Sequence, residues 1–128
     1  MILVFGGSYQ GKLDWAKKNL KIDKDDILDC TREMKTLDFR KKAYYHFEEF
    51  IYALCTEDKD PMKYLAENRS KINDKIFIVD DISQGIVPID PVDRAWREDV
   101  GRALTYIGTE ATNVYRVFCG LGQEIKND

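Results

Sequence analysis

The sequence predicts an α/β fold, a mainly parallel central sheet with helices on both faces. Three observations carry this. ILVF at 2–5 and KIFIVDD at 75–81 are short apolar runs rich in β-branched and aromatic residues, the composition of strands buried on both faces. They alternate with stretches whose apolar residues recur at helical spacing, and such alternation implies right-handed crossovers between parallel strands. The first strand also runs into glycines that lead directly to a helix. With 128 residues the chain fits one domain over 1–128.

The elements follow in order. ILVF stops at Gly6 and Gly7, and Leu13, Ala16 and Leu20 share one face of a helix starting near Gly11. DDILDCT at 25–31 reads as a second strand. KAYYHFEEFIYALC at 42–55 sets Ala43, Phe47, Phe50, Ile51 and Leu54 on one side of an amphipathic helix that includes His46. After a polar link, Pro61 starts a further helix through Tyr64 and Leu65. KIFIVDD is a central strand, and ISQGIVPIDP at 82–91 a loop. Ala95, Trp96, Val100, Ala103, Leu104 and Ile107 mark the next helix, and NVYRVFCGLG closes as a strand ending in Gly120 and Gly122. There is no internal repeat.

The composition, 44% hydrophobic and 34% charged, is that of a globular protein, and a net charge of -3 gives no general attraction to nucleic acid or anionic membrane. No apolar run approaches the roughly 20 residues of a membrane span, so the expectation is a soluble, cytoplasmic chain with neither partner. Cys30, Cys55 and Cys119 are odd in number and form no Cys-x-x-Cys pair, which reads as reduced thiols in or near the core. A single histidine makes a zinc site an unfavoured reading.

The chemistry concentrates in GGSYQGKL, where Gly6, four residues, Gly11 and Lys12 match a phosphate-binding loop up to its last position. Glycines let successive amides turn towards phosphate oxygens, the following helix points its positive end at them, and the lysine adds a mobile charge. The nucleotide-binding candidates are Gly6, Gly7, Ser8, Tyr9, Gln10, Gly11, Lys12 and Leu13. The competing reading of the segment is a plain glycine-rich structural turn. Leu13 departs from the pattern, because a hydroxyl there normally ligates the Mg ion that bridges the β- and γ-phosphates. Ser8 is a candidate substitute oxygen, its other reading being a turn former.

Asp80 and Asp81 follow KIFIV, where a carboxylate at a strand end suits magnesium binding or positioning of the attacking group. The competing reading is a turn cap beside a solvated acid. Asp29 in ILDCT follows the same logic after a shorter strand. The candidates are therefore Lys12 and Asp81 for catalysis and Asp29, Asp80 and Asp81 for Mg. Arg94, Arg97 and Arg102 do not share one helical face.

These residues carry a resemblance. ILVFGGSYQGK, and more specifically IFIVDDISQGIVPIDPVDRAWREDVGRAL with NVYRVFCGLGQEIK, is similar to the bifunctional adenosylcobinamide kinase / adenosylcobinamide-phosphate guanylyltransferase family of cobalamin assembly. The matching regions cover somewhat less than half of the chain. The resemblance implies a P-loop NTPase-like three-layer fold with an ATP or GTP partner, and a kinase that moves the γ-phosphoryl to the hydroxyl of a cobinamide-type corrinoid, in a homo-oligomer. The family then attaches GMP through a guanylylated histidine. Its Arg-rich surroundings and Trp-x-Thr pattern are absent around YYHFEEF, so that role is not carried to His46.

The sequence departs from the family at Leu13, at Asp80 and Asp81 (usually Asn or Thr, then Glu), at Ser83 in the turn before Gly85-Ile86-Val87-Pro88, and at Leu104. ILDCT corresponds either to the family's second strand, on its distance from the loop, or to its Walker B strand, on its letters. The Walker B reading is preferred, since that strand lies beside the loop strand and deleting a central strand loses more buried area. A catalytically impaired relative that binds nucleotide or corrinoid as a regulatory module is the alternative function.

Overall fold

The computed structural model describes residues 1–82 and 88–128, so Ser83 and the Gly85-Ile86-Val87 turn lie outside the described residues. Runs apolar on both faces belong in the middle of a sheet. That is where β1 (Ile2–Gly6) and β4 (Ile76–Asp80) pair in parallel, from Ile2 opposite Ile76 to Gly6 opposite Asp80. Around them lie β2 (Ile27–Asp29), β3 (Ala43–Tyr45), β5 (Asn113–Phe118) and β6 (Leu121–Asn127), in the order β2-β3-β4-β1-β5-β6. Every pairing is parallel except β5 with β6.

Helices cover both faces. Leu3, Phe77, Val79 and Val114 turn to one side and join the core of α2 (Phe47–Thr56), α3 (Pro61–Glu67), the short α4 (Arg69–Ile72) and α5 (Pro91–Glu110). Val4, Ile76, Ile78 and Val117 turn to the other and pack with Ala16 of α1 (Lys12–Asn19). The period of two along each strand separates these cores. Asp60 and Asp90 cap α3 and α5 ahead of prolines at the first helical position; α3 starts as the sequence signals predict, whereas α5 takes in Pro91 of the predicted loop. Among the described residues no helix is long and apolar enough to cross a membrane.

The structure corrects four expectations. The stretch at 42–55 is not one helix: Ala43–Tyr45 is β3, and α2 starts only at Phe47. Aromatic Tyr44 and Tyr45 suit a strand sandwiched between β2 and β4, and His46, with φ 55°, turns the chain. The final segment does not stop at Gly122. Cys119 (φ 52°) and Gly120 (φ 74°) form a two-residue turn with both residues left-handed, and β6 returns antiparallel. ILDCT does not neighbour the loop strand, since β3 and β4 stand between β2 and β1. Three residues with charged flanks and an exposed Asp29 fit a sheet edge, whereas the wholly buried Ile76 to Val79 fill the central place. Finally, Cys30 is buried, but Cys119 is exposed at the hairpin tip.

This topology positions the site. From β1 the chain crosses to the far edge at β2, whereas β4 connects through α5 to β5 on the opposite side of β1. Ligands of open α/β sheets bind at the carboxyl ends of strands where connections diverge in this way. Gly6, Asp80 and His46 all sit at that edge.

Candidate functional site

The glycine loop is held by close approach. A Cβ on Gly6 would lie 2.4 Å from the Val117 carbonyl oxygen, so no larger residue fits without moving β5. Gly11 adopts φ 83°, and its Cβ would come within 3.2 Å of Gly120 Cα. Gln10 fastens the loop to the hairpin tip: its carbonyl accepts from the Gly120 amide and its Oε1 from the Cys119 amide, both at 2.8 Å. Gly122 leaves room for Trp15, whose ring also packs 4.9 Å from Tyr115. The last hairpin therefore braces both the loop and the start of α1.

The helix start is open. Gly11 occupies the N-cap without a side-chain hydrogen bond, and the first intrahelical bond runs from the Trp15 amide to the Gly11 carbonyl at 3.0 Å. First-turn amides ahead of it have no intrahelical acceptor, and the helix dipole adds positive potential. Lys12, the first helical residue, is 4% exposed. Its ammonium donates to the Gly7 carbonyl and pairs with Asp80 Oδ1, each at 2.6 Å. Asp80 Oδ2 accepts from Ser8 Oγ at 3.1 Å. Tyr9, fully exposed with φ 60°, projects from the loop.

These groups border a cavity of about 360 Å³, lined by Ser8, Tyr9, Gln10, Gly11, Lys12, Leu13, Asp14, Tyr45, His46 and Asp80. Gly6 and Gly7 of the predicted loop are not among the lining residues. Leu13 adds no oxygen, and its side chain packs against the α1-side core. Of the predicted carboxylates, only Asp80 enters this cavity. Asp81 follows on the alternate face and lines a second cavity with Leu3, Phe5, Leu104 and Ile125. Asp29 reaches the site indirectly, its Oδ1 accepting from His46 Nδ1 at 3.2 Å.

Three residues that the sequence reading left out stand here. Tyr45 stacks on the His46 ring at 3.8 Å between centroids. Glu48, in the first turn of α2, is 3% exposed, and its Oε1 accepts from the Asp80 amide at 2.8 Å. Burial is the main cause that pushes its carboxyl up to about 7, with the Asp80 charge adding to it. The signal was present: had AYY been read as a strand, HFEE would have fallen at a strand's carboxyl end.

An α/β chain with a braced glycine loop and a buried lysine at the first helical position is what fold and site define together. No family model matches the chain, and no curated protein matches it either.

Proposed function

We propose that the chain binds the triphosphate of ATP or GTP in the 6–13 loop and transfers the terminal phosphoryl to an alcohol of cobinamide type. The observation that carries this is the buried Lys12 ammonium, held at the open start of α1 by Gly7 and Asp80 above the loop cavity. Burying a cation is costly, and the contacts with Gly7 and Asp80 keep it aimed where phosphates belong in a P-loop NTPase-like fold. A bound phosphate competes with Asp80 for the ammonium, and the first-turn amides take further oxygens.

Transfer forms a bond from the acceptor oxygen to the γ-phosphorus and breaks the bond to the β–γ bridging oxygen, leaving the nucleoside diphosphate. Two carboxylates line this cavity, Asp14 and Asp80, and Asp80, beside the Lys12 ammonium, is the one assigned as base for the hydroxyl proton. The magnesium that the resemblance implies fits the donors poorly. Leu13 offers no oxygen, and the donor neighbouring Asp80 in the cavity is an imidazole. No step is assigned to it. Leu13 also favours a second reading, nucleotide binding with little turnover, as in a regulatory relative. A thermal-shift titration with ATP, GTP and cobinamide tests binding, and release of the diphosphate in the presence of cobinamide separates the two readings.

A further inference from the structure

We propose that His46, Glu48 and Asp80 form a binding site for a first-row transition-metal dication, of the Mn2+ or Zn2+ class, at the carboxyl edge of the sheet. One ligand atom from each lies within 4.8 Å of the others. Ligands of one ion at roughly 2.0–2.2 Å stand up to about 4.4 Å apart, so small side-chain adjustments close the set. The donors come from two chain segments that only the fold unites: the junction of β3 and α2, at His46 and Glu48, and the end of β4.

Two further observations point to a cation. Glu48 is a carboxylate 3% exposed, and it accepts from backbone amides, that of Asp80 at 2.8 Å and its own. A buried carboxylate held by backbone amides alone among the described residues is stabilised by a dication beside it. His46 is oriented as metal-binding histidines are, with Nδ1 donating to the Asp29 carboxylate and Nε2 left as a donor atom. Asp29 thus acts as a positioning residue. An imidazole with two carboxylates selects Mn2+ or Zn2+ over Mg2+, which prefers oxygen alone.

Such an ion also answers a charge problem in the cavity, where Asp14 and Asp80 face the space assigned to a polyanion and, among the described lining residues, Lys12 is the single ammonium. Its use with a nucleotide rests on the function proposed above, whereas its binding does not.

The test is calorimetric titration of the chelator-treated full chain with MnCl2, ZnCl2 and MgCl2, without nucleotide. We expect one Mn2+ or Zn2+ per chain, bound at least ~10-fold tighter than Mg2+. Glu48→Gln and His46→Asn should each weaken it at least ~10-fold, with folding checked by circular dichroism; Asn tolerates the left-handed backbone at 46. Asp29→Asn should weaken it less than either. Lys12→Ala should retain metal binding while losing nucleotide binding, so failure of one idea is distinguishable from failure of the other. One measurement needs no variant: the chain has a single histidine, and Mn2+ should selectively broaden its imidazole proton signals. Equal affinities for Mn2+ and Mg2+, unchanged binding in folded His46→Asn, or unbroadened imidazole signals at saturating Mn2+ would each overturn the proposal.

Discussion

Replacing Lys12 by alanine separates the loop's ligand role from its part in the fold. The substitution removes the ammonium from Gly7 and Asp80 but leaves Asp80 its bond from Ser8 and partial contact with solvent. The cost to the ligand-free chain is about 1–3 kcal/mol, below the full penalty of breaking a wholly buried pair. Unfolding entropy of about 2.1 cal/mol/K per residue converts this to a drop of about 4–11 °C in a chain of 128 residues, which stays folded. In the wild type, nucleotide at 100 times its dissociation constant adds about 2.7 kcal/mol, or about 10 °C by the same conversion. Scanning fluorimetry with ATP and GTP reads both numbers. The variant should melt lower and show no nucleotide-dependent rise. Equal rises in the two proteins would refute the placement of the phosphates at Lys12.

Other substitutions probe the surroundings. Leu13→Ser puts a hydroxyl at the helix start and should raise the Mg2+ dependence of nucleotide affinity at least ~3-fold, because that oxygen is the usual metal ligand; calorimetry with and without Mg2+ decides, and no change would mean the ion does not reach that position. Gly6→Ala drives a Cβ against the Val117 carbonyl and should cost about 2–4 kcal/mol in urea denaturation. A loss below about 1 kcal/mol would contradict the close packing of β1 on β5. Cys119→Asn places a residue tolerant of left-handed backbone in the hairpin turn and should stabilise by about 0.5–1 kcal/mol, with the amide bond to Gln10 kept; a lower melting temperature would show the thiol has a structural role.

Much of the fold was legible because its signals are local. ILVF and KIFIV announce buried strands by composition alone, and Pro61 after Asp60 announces a helix start. What escaped depends on partners distant in sequence. β3 has three residues, too few for a period, and becomes a strand because β2 and β4 supply hydrogen bonds on both sides. β6 carries glycine and charge and is held by β5 across a turn whose left-handed residues include a cysteine, an unusual turn signal.

The site divides in the same way. The loop was readable as a spacing, whereas its bracing by Gln10 and the hairpin is tertiary. Asp80 was named from its strand end, but its separation from Asp81 follows from strand alternation, which turns neighbours to opposite faces. His46 and Glu48 were hidden by the misread helix.

Backbone amide shifts of the isotope-labelled chain, followed as ATP or GTP is added, test the central claim most directly. The account predicts that the amides of Gly7 through Leu13 move furthest and saturate together, with Asp80 following as its lysine is drawn away. Unmoved loop amides at millimolar nucleotide, or saturating shifts confined to another surface, would contradict it.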